Sequence, residues 1–115
     1  MAHGSGSAEV LRSRLVPFDS PNSKWPMQMV ITTWRNTGHG PIRDVEARFK
    51  FRDRNKQILA IRDYTLYAAY DDEPGIQPGK SYTTPKGEGY IFFDPLEKPH
   101  SVDVEILSVS EHSGL

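Results

Sequence analysis

The chain has no cysteine among its 115 residues. That excludes a disulfide framework, a thiolate nucleophile and a sulfur-ligated zinc site. No apolar run approaches the roughly 20 residues that a membrane-spanning helix needs. Convincing amphipathic helices are missing, as are internal repeats of 20 to 50 residues. The opening M-A-H-G-S-G-S-A is a Gly/Ser stretch with no apolar core, so Met1 to Ala8 reads as a flexible linker or added lead rather than a signal peptide. What the sequence does have is turn chemistry, with nine glycines and nine prolines spread between short apolar runs. Its length suits one domain with a single two-layer core, expected over residues 9–111 with a tail at 112–115.

The net charge of −1 conceals a strong asymmetry. Between Val10 and Arg62 stand 11 lysines and arginines against four acids; from Asp63 onward the count is three against ten. A basic half can serve an anionic partner. The simpler expectation is that strands from the two halves lie side by side and neutralise one another across a sheet.

The runs themselves read as strands. Val10 to Phe18 forms the first. Met27 to Asn36 is rich in β-branched residues and apolar on both faces, as a central strand is. Val45, Ala47, Phe49 and Phe51 then alternate with Glu46, Arg48, Lys50 and Arg52, a period of two that sends one set inward and the other to solvent. Asp53 to Lys56 is a hairpin turn into Gln57–Arg62. Tyr64 to Tyr70 reads as strand or irregular extended chain. After the polar Asp71–Gly79 loop come Ser81–Thr84, Gly89–Phe93 and Ser101–Val109. Such a series predicts an all-β chain, a single immunoglobulin-like antiparallel β-sandwich of about seven strands. Trp34 and Phe49 are expected in its core, and Gly38 and Gly79 at positive φ in their turns.

Three motifs carry a resemblance. Asn36-Thr37-Gly38, with Pro41-Ile42 and Val45, is similar to the N-x-G-x-x-P-I-x-x-V turn of the FxLYD-type domains. Phe49-Lys50-Phe51-Arg52-Asp53 resembles the naming motif, with Phe51 in the Leu place and Arg52 in the Tyr place. Ile76 to Ser81 resembles that family's L-x-P-G-E-S turn, with Lys80 replacing the acid. These domains are immunoglobulin-like modules of bacterial surface and lipid-anchored proteins. The resemblance implies an extracytoplasmic accessory or binding domain, in the periplasm or at the cell surface. It carries over no catalytic residues.

Other motifs fail on their own chemistry. Lys86 to Phe93 matches an RNA-recognition strand except at Glu88, where an anion replaces the ring on which a base would stack. A core strand entered by a Gly-rich turn explains it better. Pro78-Gly79-Lys80-Ser81 lacks the leading glycine of a phosphate loop, since Pro74 stands there. His3, His39, His100 and His112 are not spaced as metal ligands, and Asp71-Asp72-Glu73 lacks the calcium-loop pattern. The tyrosines, Tyr64, Tyr67, Tyr70, Tyr82 and Tyr90, suit a sugar- or peptide-binding surface or, more commonly, strand edges with wet hydroxyls.

The functional expectation is therefore a non-enzymatic module for protein–protein or cell-envelope contacts, or a structural spacer. Catalytic, metal and cofactor residues are not assigned, and neither is a small-molecule substrate. The protein partner is unidentified and nucleic acid disfavoured. The alternative is a polyanion-binding module for nucleic acid, anionic glycan or lipid headgroups. Its candidate face is Arg48, Lys50 and Arg52, to which Arg54 could add, at the ~7 Å spacing of alternate strand residues.

Overall fold

The computed structural model describes residues 8–18, 27–85, 87–93 and 99–111. Seven strands are found among them: β1 (Ala8–Phe18), β2 (Met27–Asn36), β3 (Asp44–Arg52), β4 (Ile58–Ala68), β5 (Ser81–Thr83), β6 (Ile91–Phe93) and β7 (Ser101–Ser110). They form two antiparallel sheets packed as a sandwich. In the first, β2 lies between β1 and an edge shared by β5 and β6; in the second, β3 lies between β4 and β7. Residues 1–7 of the expected lead (His3 among them), Lys86, and the 112–115 tail with His112 fall outside the described residues.

The second sheet follows directly from the alternation in β3. Val45, Ala47, Phe49 and Phe51 have no solvent exposure, while every residue between them is only half-buried. Phe49 packs edge-on against Tyr90 at 5.6 Å and beside Tyr64 at 5.7 Å. Phe51 meets Phe92 of the opposite sheet at 4.4 Å between ring centres. At the other end of the sandwich Trp34, wholly buried, packs with Val45, Ile42 and Ile106. The two expected core aromatics, Trp34 and Phe49, thus anchor separate clusters, and Leu66 packs against both.

The turns have local causes. Asp53 Oδ1 accepts the backbone N–H of Asn55 and of Gln57, and Lys56 takes φ +67° to close the β3–β4 hairpin. Buried Asn36 ties together the two turns quoted above for their motifs. Its amide donates to the carbonyls of Gly40 (2.8 Å) and Ile76 (2.9 Å), and its Oδ1 accepts from Gly38 N–H (2.8 Å). An antiparallel bridge between Ile42 and Ile76 completes the link.

Three expectations need correction. Gly79 has positive φ (+81°) as expected, but Gly38 does not. The Asn36 side chain turns the chain there by itself, so a left-handed glycine is unnecessary. Gln57–Arg62 and Tyr64–Tyr70 are not separate segments: β4 runs unbroken to Ala68, with a bulge opposite Val45 and Glu46. The bulge inserts Leu66 and shifts the period, which mixed the helical and strand spacings of the tyrosines. Finally, β1 starts at buried Ala8, one residue inside the expected lead.

Candidate binding surfaces

The outer face of the second sheet carries the cation stripe. Because β3 is central, its outward residues have acidic neighbours on both sides. Arg48 Nε donates to Asp63 Oδ1 on β4 at 2.7 Å, and Nη2 reaches Oδ2 at 3.1 Å, a bidentate pair. Arg52 Nε donates to Asp103 on β7 at 2.6 Å, and Lys50 Nζ lies 4.0 Å from Glu105. Arg52 also donates to the Lys56 carbonyl (2.9 Å), closing the hairpin beneath it. The structure therefore brings Arg48, Lys50 and Arg52 together on one face and gives each a carboxylate partner. Arg54 stands apart in the hairpin turn. The hydrogen bond from Arg48 holds the Asp63 carboxyl below its ordinary value and raises the guanidinium. Beside the stripe, burial pushes Glu46 up.

The outer face of the first sheet is different. Val16 pairs with Met29, which pairs with Ile91; Arg14 pairs with Ile31, and Phe18 with Met27. Directly opposed residues share a face, so one apolar field covers this end of the sheet. Met29 is almost fully buried because the segment after β5 folds back over it. Gly89 lies so close that a Cβ there would stand 2.3 Å from the Val30 carbonyl oxygen and 2.9 Å from Met29 Cγ. Thr84 holds this segment down, donating its backbone N–H to the Thr32 carbonyl and accepting Thr32 N–H at its hydroxyl.

Between the covering segment and β1 lies a groove of about 580 Å³, walled by Val16, Phe18, Met29, Ile31 and Thr83, with Arg14 at its rim. Arg12 and Arg14 make no ion pair among the described residues, whereas Arg35, farther along β2, pairs with Glu9 at 3.0 Å. Sequence reasoning missed this groove. The only available signal was that β2 is apolar on both faces, which marks a central strand without saying that one face is uncovered at its end.

The remaining expected features are dispersed. His39 lines the turn after β2 and His100 is exposed at the start of β7; no group of three or more potential metal ligands is found among the described residues. Phe92 is buried in the core. Comparison with protein families, with curated proteins and with solved structures finds no match to this chain.

Proposed function

We propose that the chain is a non-catalytic, immunoglobulin-like module that binds another protein, and that the groove on the outer face of the first sheet is its contact surface. One observation carries this reading: an open apolar groove lies beside two arginines that have no carboxylate partner among the described residues. Apolar walls supply binding energy and a rim cation fixes orientation, the division found in most recognition sites. The complementary partner segment presents an apolar side chain next to a carboxylate. The similarity of the Asn36–Val45 and Ile76–Ser81 turns to FxLYD-type domains supports the immunoglobulin-like assignment and an extracytoplasmic setting.

The polyanion alternative on Arg48, Lys50 and Arg52 has no comparable support. An anionic polymer would have to displace three carboxylates that already lie within 4.0 Å of these cations. A photo-crosslinking side chain at position 31, in the cells that make the protein, tests the groove reading. It is expected to give a discrete protein adduct that Arg14→Glu abolishes, while the same group at position 50 gives none. Adducts from position 50 and none from position 31 would refute it.

A further inference from the structure

We infer that the outer edge of β4 accepts an extended peptide strand from a partner, whose lysine or arginine side chain lodges among Tyr67, Tyr70 and Tyr82, opposite Glu73 and Glu88. This goes beyond the groove reading and concerns a separate surface.

The first support is the edge itself. Strand β4 is 11 residues long and, among the described residues, pairs only with β3. Its other side therefore presents a row of backbone N–H and C=O groups. Natural sheets blunt such edges with proline, lysine or very short strands. This strand has none of those devices, and Ile58 and Ile61 stand about half exposed on it. Bulges at Leu66 and Leu59 twist the edge near its two ends, and Arg62 and Asp63 are the charges between them.

The second support is the cleft beside that edge. A cavity of about 270 Å³ is lined by the consecutive residues 64–68 on one bank and by Tyr82, Pro85 and Glu88 on the other. Successive side chains of a strand point to opposite faces. Five consecutive residues line one cavity only if that cavity looks at the strand's edge. The opposite bank, β5, is likewise paired on one side only, to β2, among the described residues. The cleft is thus a gap between two open sheet edges, the geometry that an added strand fills.

The third support is the chemistry of the floor. Tyr67 and Tyr82 pack at 4.7 Å, both resting on Trp34 at 5.7 and 6.0 Å. Tyr70, 68% exposed, lines the same cleft. Glu73 uses Oε1 to accept Tyr70 N–H at 2.7 Å, which fixes its carboxylate at the cleft mouth. Burial raises both phenols, and the next contribution is Glu73 for Tyr67 and Glu88 for Tyr82, so both carboxylates are felt at the rings. Among the described residues Arg43 is the opposing charge at Tyr67, and its guanidinium is engaged with the Tyr70 carbonyl at 2.7 Å. Aromatic faces flanked by carboxylates attract a cation.

A second copy of the chain is a poorer occupant. Antiparallel self-pairing centred on β4 sets Asp63 against Asp63, and a centre one residue earlier sets Arg62 against Arg62, which leaves a centre on Tyr64 as the neighbouring register free of opposed like charges. Like charges directly opposed are unfavourable.

The test is an amide NMR titration of the folded chain with a blocked heptapeptide of alternating threonine and valine carrying a central lysine. Shifts are expected at residues 64–68 and at Tyr82. Norleucine in place of lysine should weaken binding at least about tenfold, a loss of about 1.4 kcal/mol. N-methylation of the peptide backbone should abolish binding. Glu88→Lys, at an exposed loop position, should remove the preference for lysine while leaving the spectrum distant from the cleft unchanged. Equal affinity for the lysine and norleucine peptides would overturn the proposal, as would shifts confined to the Arg14–Ile31 groove or none at low millimolar peptide. So would binding of maltohexaose at these residues in place of the peptide, or a concentration-dependent dimer that protects the β4 amides. Crosslinking from position 31 is read out independently of this titration, so the two readings fail separately.

Discussion

The outer faces of the two sheets solve the same problem in opposite ways. Each has a central strand with side chains that its own sheet must accommodate. On the second sheet, cations of β3 meet carboxylates of β4 and β7 in half-exposed ion pairs, with Ile58 and Ile61 of β4 standing beside them. On the first, apolar residues of β1, β2 and β6 meet one another, and among the described residues a segment after β5 covers part of them. Charge alone would have marked the second sheet as the interaction surface. Pairing reverses that ranking, because exposed ion pairs contribute little and offer little unsatisfied field, whereas the groove on the first sheet joins apolar walls to arginines that have no carboxylate partner among the described residues.

The largest expected effect separates the two sides of β3. Phe49→Ala opens a cavity against Tyr64 and Tyr90 and should lower unfolding stability by about 3–5 kcal/mol, read as a shift in urea midpoint. Lys50→Ala, the adjacent outward residue, should cost under about 0.5 kcal/mol. Comparable midpoints for the two would break the inward–outward assignment on which the comparison rests.

Met29 sharpens the contrast between faces. It sits on an outer face yet is 3% exposed, so Met29→Ala should cost about 2–4 kcal/mol, more than any outward residue of the second sheet. An effect under about 1 kcal/mol in the same urea experiment would mean that the covering segment does not pack on β2. Next comes a turn. Gly79 has φ +81° with open space around it, so Gly79→Ala should cost only the left-handed penalty, about 1–2 kcal/mol. Gly75→Ala should cost more, since its Cβ would meet the Ile42 carbonyl oxygen at 2.5 Å. The reverse order in thermal unfolding would contradict the turn geometry.

The smallest effect is titration of the stripe. Asp63 is held below its ordinary 3.8 by Arg48. Its contribution is therefore present above that value and is lost as pH falls through the folded value. Wild type and Asp63→Asn should differ in melting temperature near neutral pH and converge at lower pH. A difference that persists unchanged into strong acid would show that the pair is not the cause.

How much of this was legible in the sequence depends on how local the determinant is. The β3 alternation needed only nine residues to announce its buried face, and the hairpin at Asp53 needed five. The mutual neutralisation of the two halves was also legible as an expectation, because Asp103 and Glu105 alternate outward on the last strand; the third partner, Asp63, was hidden by the uncertain reading of β4. The bulge at Leu66 changes the strand's phase for a tertiary reason, so Tyr64, Tyr67 and Ala68 obeyed no single period. Gly38 shows a side chain taking over work usually left to a glycine. The groove and the cleft were least legible. Each is made where strands distant in sequence leave an edge or face uncovered, and no local pattern records what fails to cover a surface.

The contrast between the faces is tested most directly by chromatography on an anionic polymer at low salt, with two variants compared to the unmodified chain. One removes the pairs whole, replacing Arg48, Lys50 and Arg52 with Ser together with Asp63 and Asp103 with Asn and Glu105 with Gln; the other replaces Arg12 and Arg14 with Ser. Since the first set is paired with carboxylates and the second has no such partner among the described residues, retention should be unchanged in the first variant and reduced in the second. Retention abolished by the first variant and kept by the second would place the accessible charge on the second sheet, and contradict the account.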